Sequence, residues 1–342
     1  MAGPYLVTGA SGFAGRHLLE ARAPGTEALA LVRNPDDWAA QEWSGRLESV
    51  SPVQGSLFDS DDWGERLPQL SGIFHFAALV RHSRINAEEV YTTNVEGTLN
   101  MVRLAAKKNC RMVMLSTSGT VGCFAEQGVR ANENAPFCED TVRNWPYYHS
   151  KIVAEKKARA LADELGVELV FFRPPVLLGP GDHRFRSTSN IIRMLRGRLP
   201  FLIRGGMHFI DIRDAIQATW RAMEMPAPRP VYHLAGYDSS IEEFFALVEE
   251  VSGVKAPRRM LPHGIAKVIS GADEWLGMRL KGEPLHYFPG PVVIEMARYY
   301  WGLESLYAET DLGYASRDPK ETLRDTVDWL RANHPQLRNG ND

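Results

Sequence analysis

Gly9, Gly12 and Gly15 stand three residues apart between a short apolar run, Leu6-Val7, and the helix-like stretch Arg16-His17-Leu18-Leu19-Glu20. A buried strand, a glycine turn and a helix in that order make a seat for a dinucleotide. The first glycine permits the tight turn, the second lets backbone approach a pyrophosphate, and the third lets the helix pack against the strand. N–H groups at the helix start then face the phosphates, and the helix dipole favours their charge. The same spacing also serves a plain turn between core elements, so the reading depends on the rest of the chain.

Downstream of the turn the chain alternates regularly. Apolar runs predict strands over 27–32, 47–53, 72–78, 111–115 and 167–172, and the pattern over 86–108 predicts one long helix. Asn94 lies within that helix, either as a solvated residue or as a buried amide holding active-site backbone. The alternation predicts an α/β fold: a Rossmann doubly wound parallel sheet with a smaller C-terminal α/β substrate-binding region. The boundary is set at the paired prolines after 173, giving a nucleotide-binding domain over 1–175, with some later segments returning to it, and a mainly substrate-binding region over 176–342.

Beyond the boundary the sequence predicts a short helix over 190–196 and a strand over 208–214, with Asp214 capping the helix that begins at Ala215. Another strand is expected over 231–234. Ser240 and Glu243 form a capping box for a helix over 240–251. Helices are expected over 261–280 and 290–302. Met278, Met296, Tyr299, Tyr300 and Trp301 read either as core or as the lining of an apolar substrate pocket.

Composition closes off other classes. The chain has 342 residues, 44% hydrophobic, and a formal net charge of −3, so nothing draws it strongly to nucleic acid. No apolar run approaches the length of a membrane span. The three cysteines, Cys110, Cys123 and Cys138, have neither metal-site nor redox-motif spacing. A reducing compartment is the simplest reading, and with a first strand near Pro4 leaving no room for a leader, a cytoplasmic location is expected.

Three features carry chemistry. Arg33 comes just after the second strand, where an acid would bond a ribose 2′-hydroxyl and an arginine suits a 2′-phosphate; it favours NADP, with NAD as the alternative. Ala77 and Ala78 end the fourth strand with side chains small enough for a flat ligand to lie close. Tyr147 and Lys151 share one helical face, so an ammonium, together with a cationic nicotinamide, would favour the phenolate and fit the tyrosine for proton transfer. Ser116-Thr117-Ser118 places hydroxyls at a strand end upstream of that pair.

Taken in order, Thr8–Gly15, His75-Phe76-Ala77-Ala78, Asn94–Thr98, Tyr147–Lys151, Arg173-Pro174-Pro175 and Leu312-Gly313-Tyr314 resemble the extended short-chain dehydrogenase/reductase superfamily over nearly the whole chain. The likeness is greatest to its dihydroflavonol reductase, aldehyde reductase and 3β-hydroxysteroid dehydrogenase branch, through Gly179-Pro180-Gly181-Asp182 and 209–214. The resemblance implies a cofactor held by Gly9, Ser11, Gly12, Phe13, Leu57 and Lys151, with Pro174 to Val176 beside the nicotinamide. It implies Tyr147 as acid/base, and Thr117 or Ser118 as the hydroxyl on the substrate oxygen, the two registers standing open. A carboxylate usual after the third strand is replaced by Ser56. The activity implied is NADPH-dependent reduction of a ketone or aldehyde on a small apolar substrate, with no metal. The alternative is an NAD-dependent nucleotide-sugar epimerase or dehydratase. A homodimer formed through a four-helix bundle is the assembly that the resemblance suggests.

Overall fold

The computed structural model describes residues 3–285 and 287–337. Its central sheet has seven parallel strands: β1 Tyr5–Thr8, β2 Ala28–Val32, β3 Val50–Gln54, β4 Gly72–His75, β5 Met112–Leu115, β7 Leu169–Arg173 and β10 Val231–His233. Between them in the chain come β6 Arg130–Ala131, β8 Val176–Leu178 and β9 Gly206–Asp211; β11 Tyr237–Ser240 and β12 Gly302–Leu303 come after β10. The spatial order is β10-β7-β5-β4-β1-β2-β3. The order reverses between β1 and β4, which pair directly with Thr8 beside His75. Ligands of open α/β sheets bind in the crevice at that reversal, outside the carboxyl ends of the strands. The glycine turn therefore opens at the reversal point.

The central strands are apolar on both faces because helices cover both. Phe74, Val113 and Phe172 pack on one side with Ile216 and Trp220 of the helix Ile212–Glu224. Ile73, Met112 and Phe171 pack on the other with the helices Gly97–Lys107 and Pro146–Leu165. Pro52 falls in β3, an edge strand, where its missing N–H costs no ladder bond. A second sheet, β11-β9-β8, and a pairing of β12 with β6 lie outside the central one. A separate core of Phe209, Phe244, Val248, Leu323 and Val327 supports the second sheet.

Several local expectations need correction. The 86–108 helix is broken: Ala87–Tyr91 passes into a π-turn, Thr92–Glu96, before Gly97–Lys107 resumes. The cap of the helix Ile212–Glu224 is Asp211, whose Oδ1 accepts from Arg213 N at 2.8 Å; Asp214 lies inside the first turn. The strand predicted to run to 214 ends at Asp211 for the same reason. The 290–302 segment is helical only over Pro291–Met296, because Tyr300 bridges to Phe124 and Gly302–Leu303 pairs with β6. The capping box of Ser240 and Glu243 forms as expected.

Candidate active site

Gly9 has φ of +70°, and a Cβ there would lie 2.7 Å from Ala77 N and Phe76 C. A Cβ on Gly15 would lie 2.2 Å from Gly9 O. The turn is closed by Gly12 N donating to Gly9 O at 2.8 Å. Gly12 caps the helix Phe13–Glu20 without a side chain, so no capping side chain occupies its first-turn N–H groups. Backbone this close, ending in those N–H groups, fits a pyrophosphate.

Beneath the turn runs a buried hydrogen-bond chain. Ala77 N donates to Thr8 Oγ1 at 3.1 Å, and Thr8 Oγ1 lies 2.9 Å from His75 Nδ1. His75 Nε2 lies 3.0 Å from Thr98 Oγ1, which donates to Asn94 O at 2.7 Å. Thr98 spends its proton on Asn94, so the imidazole donates through Nε2 and accepts from the Thr8 hydroxyl through Nδ1. Burial, with the Lys151 charge adding to it, lowers the His75 pKa to about 3, which keeps that ring neutral. The network fixes Ala77 against the turn.

The loop after β8 lies over the same seat. Arg184 Nη2 donates to Ser11 Oγ at 3.3 Å, and His17 Nε2 donates to Pro180 O at 2.8 Å. Asp182 holds the loop by accepting from Ser187 N at 2.9 Å and from Thr188 N and Oγ1, each at 3.0 Å. Arg184 escaped sequence reasoning; the only signal was the Gly-Pro-Gly-Asp run before it.

Tyr147 and Lys151 occupy the first two turns of the helix Pro146–Leu165, which Pro146 opens at its first position. The Tyr147 phenol shares a hydrogen bond with the Thr117 side chain; burial pushes its pKa up to about 12, and that bond opposes the rise. Lys151, expected to favour the phenolate, donates from Nζ to Leu115 O at 2.7 Å, and burial sets the direction of the Tyr147 shift. Lys151 is 2% exposed, and burial brings its ammonium down to about 8 against the opposing charge of Glu155. Ser118 contributes through backbone, donating its N–H to Pro174 O at 2.8 Å. The hydroxyl beside the phenol is thus that of Thr117.

Asn94 is 1% exposed and clamps two elements together. Its Oδ1 accepts from Leu79 N at 2.8 Å, and its Nδ2 donates to Leu79 O at 3.2 Å and Ser150 Oγ at 2.9 Å. Ser150 in turn donates to Tyr147 O at 2.7 Å. The second of the two readings of Asn94, a buried amide holding site backbone, is the observed one. Behind it, Glu155 bonds Ser116 Oγ and pairs with Arg173 at 2.6 Å, both charges buried.

Aromatic side chains wall the far side. Tyr148 stacks on Trp301 with centroids 5.3 Å apart, and Trp145 meets Tyr299 edge-on at 5.3 Å. Tyr148 lies so close to Gly119 that a Cβ there would meet its ring at 2.1 Å. Met296, Tyr299 and Trp301 therefore join the Tyr148 cluster. Met278 does not, being 40% exposed on another helix, and Tyr300 serves mainly in its bridge to Phe124. His82, missed in the sequence, meets Tyr147 edge-on at 5.3 Å with its Nδ1 buried and without a hydrogen-bond partner. Burial, reinforced by Arg186, lowers its pKa to about 4.

The remaining candidates are spread along the same crevice edge. Arg33 is exposed immediately after β2. Leu57 is buried against Gly97, and its carbonyl accepts from Asn100 Nδ2 at 2.9 Å. Near Ser56 a carboxylate does stand: Asp59 Oδ1 accepts from Ser56 N at 2.7 Å and from Trp63 Nε1 at 3.1 Å. Ala78 comes after Ala77 past the end of β4, Phe13 begins the first helix, and Val176 begins β8, 37% exposed.

The sequence model of the NAD-dependent epimerase/dehydratase family matches residues 5–235. A protein of Synechocystis named as a putative dihydroflavonol 4-reductase is 28% identical, over 99% of this chain and 97% of that one. Among solved structures, that of gox2253 superposes with a TM-score of 0.80 at 25% identity, covering 97% of this chain and 99% of the other. UDP-glucose 4-epimerase from Thermotoga maritima superposes at 0.71 with 19% identity, covering 96% and 99%.

Proposed function

This chain belongs to the NAD-dependent epimerase/dehydratase family and is an NAD(P)-dependent enzyme of the extended short-chain dehydrogenase/reductase type, and we propose that it reduces the carbonyl of a small apolar ketone or aldehyde with NADPH. The observation that carries this reading is the Tyr147 phenol, held protonated by burial and hydrogen-bonded to the Thr117 side chain beside an aromatic wall. A phenol in that position can donate its proton to a carbonyl oxygen, as reduction requires. The Synechocystis relative, named for a reductase, agrees with it.

The chain's own residues divide the work. Gly9, Gly12 and the helix start would receive the pyrophosphate, with Arg184 beside Ser11 at its edge. Arg33 would meet a 2′-phosphate at the adenosine end, and Lys151 would hold the nicotinamide ribose. The bound cofactor supplies the hydride. Tyr147 gives its phenolic proton to the carbonyl oxygen as negative charge develops there, and Thr117 Oγ1 orients that oxygen by a hydrogen bond. His82, Tyr148 and Trp301 form the substrate wall.

The test is a panel of ketones and aldehydes with NADPH and NADH, monitored by nicotinamide absorbance. The expected result is one NADPH oxidised per carbonyl reduced, with Tyr147→Phe lowering kcat at least about 10²-fold. Arg33→Glu should raise KM for NADPH about tenfold or more while leaving that for NADH nearly unchanged. Conversion of a nucleotide sugar with no net change in absorbance would overturn the reading, as would near-normal turnover by the phenylalanine variant.

A further inference from the structure

Three successive turns of the helix Pro146–Leu165 grip three successive residues of the chain leaving β5. Tyr147 shares a hydrogen bond with the Thr117 side chain, Lys151 Nζ donates to Leu115 O at 2.7 Å, and Glu155 accepts from Ser116 Oγ. The three helical residues stand four apart, so they lie along one face. The first two are the candidate acid and its partner. Glu155 is buried as deeply as Lys151, each 2% exposed, yet the chemistry proposed above gives it no part.

Its surroundings suit a carboxylate charge. Glu155 Oε2 accepts from Arg173 Nη2 at 2.6 Å and from Nε at 3.1 Å, while Oε1 accepts from Nε at 3.3 Å. The remaining guanidinium arm donates from Nη1 to His233 Nε2 at 3.2 Å, and His233 Nδ1 donates to Ala131 O at 3.3 Å. Burial, with the Arg173 charge adding to it, lowers the His233 pKa to about 3, so that ring is neutral and free to accept. Phe137 covers the same guanidinium, 5.0 Å from its ring centroid. A buried ion pair loses hydration on both sides, and well-packed apolar side chains often serve stability equally well. Stability therefore does not account for this pair. Its place does: it ties the helix to the sheet at Ser116, between the residues that meet Lys151 and Tyr147. The ladder bond from Ser116 N to Phe172 O, at 2.7 Å, holds the chain within the sheet but not against the helix.

The charges around Lys151 point the same way. His75 on β4 is neutral, Tyr147 on the same helix is protonated, and Arg173 on β7 is committed to Glu155. Glu155 is the charge that favours the ammonium against its burial. We propose that Glu155 is a positioning residue: through Ser116 it fixes the end of β5 so that Leu115 O meets Lys151 and Thr117 meets Tyr147, and its negative charge keeps Lys151 an ammonium. The consequence for cofactor affinity rests on the reading above that Lys151 would hold the nicotinamide ribose.

Titration of Lys151 Nζ by NMR in isotope-labelled protein tests this, with Lys151→Arg giving the assignment. The midpoint is expected near 8 in the natural protein and lower by about one pH unit or more in Glu155→Gln. That change leaves Arg173 without a counter-charge. The paired variant Glu155→Met with Arg173→Met, which buries no unpaired charge, is therefore titrated alongside, and the same drop is expected. Ser116→Ala separates the two roles. It keeps the charge, so the midpoint should stay, while the Nζ protons should exchange with solvent several-fold faster as the bond to Leu115 O loosens. An unmoved midpoint in the charge variants overturns the role of the charge. Exchange in Ser116→Ala as slow as in the natural protein overturns the tether. NADPH affinity, read by its fluorescence over the same range, should fall with the Lys151 midpoint in each protein. If Lys151 titrates as expected while NADPH affinity of the natural protein is flat, the assignment of Lys151 to the ribose fails and the hold of Glu155 on Lys151 stands.

Discussion

Tyr147 shows how burial rather than charge sets the state of a side chain. Its phenol is pushed up to about 12 by burial, against the hydrogen bond with the Thr117 side chain. Across the working range the phenol stays protonated, so as a general acid it sets no alkaline limb below about pH 12. Lys151 behaves oppositely: burial lowers it to about 8, and its charge is lost as pH rises past that value. The value of kcat/KM for NADPH should therefore fall about tenfold per pH unit above pH 8, measured from pH 6 to 10. A flat profile would take the Lys151 ammonium out of cofactor binding. Thr117 and Ser118 are adjacent in sequence and unequal in space. Thr117→Val should lower kcat by about 10- to 100-fold, while Ser118→Ala should stay within about threefold, since its N–H bond to Pro174 O survives the change. Equal losses in steady-state assays would reject that distinction.

Among elements, the π-turn Thr92–Glu96 is the one that periodicity could not announce. Apolar spacing on either side is helical, and one extra residue in the turn changes only which way Asn94 points. That rotation puts the amide on Leu79 and Ser150, joining the loop after β4 to the helix Pro146–Leu165. Asn94→Ala should destabilise the fold by about 2–3 kcal/mol through unsatisfied buried groups, read by urea denaturation. Its kcat should fall further than KM changes, because the backbone bearing Tyr147 loosens. A loss of stability with kcat intact would leave Asn94 a structural residue only. The glycine turn is the contrasting element: its spacing already dictated close approach, and the contacts at Gly9 and Gly15 bear that out.

At the scale of the molecule, charges tie the C-terminal helix Pro319–Asn333 and the chain just before it to β9 and the helix Ile212–Glu224. Asp211 pairs with Arg213 at 2.7 Å, Arg213 with Asp325 at 2.6 Å, and Arg317 with Asp214 at 2.7 Å. Burial alone would raise the Asp211 carboxyl, but bonds from Arg213 outweigh it and hold the pKa below its ordinary value. The stability it contributes is thus present at neutral pH and lost as pH falls through that depressed value. Asp211→Ala should cost about 3 kcal/mol at pH 7 and flatten the fall in stability below about pH 4, measured by denaturation across pH. An unchanged acid limb would assign the network no linkage to folding.

Local chemistry by itself determined the parallel α/β framework, the glycine turn after the first strand, and the placement of Tyr147 and Lys151 four apart on one helix. Each is written in spacing along one strand, turn or helix, so no distant contact is needed to read it. Tertiary structure decided the rest. Arg184 meets Ser11, and His82 meets Tyr147, across separations that no local pattern encodes. The hydrogen bond between Tyr147 and the Thr117 side chain and the upward shift of the Tyr147 phenol share one physical reason. Direction and burial of a side chain depend on what the fold packs against it, and that packing comes from segments far away in the chain.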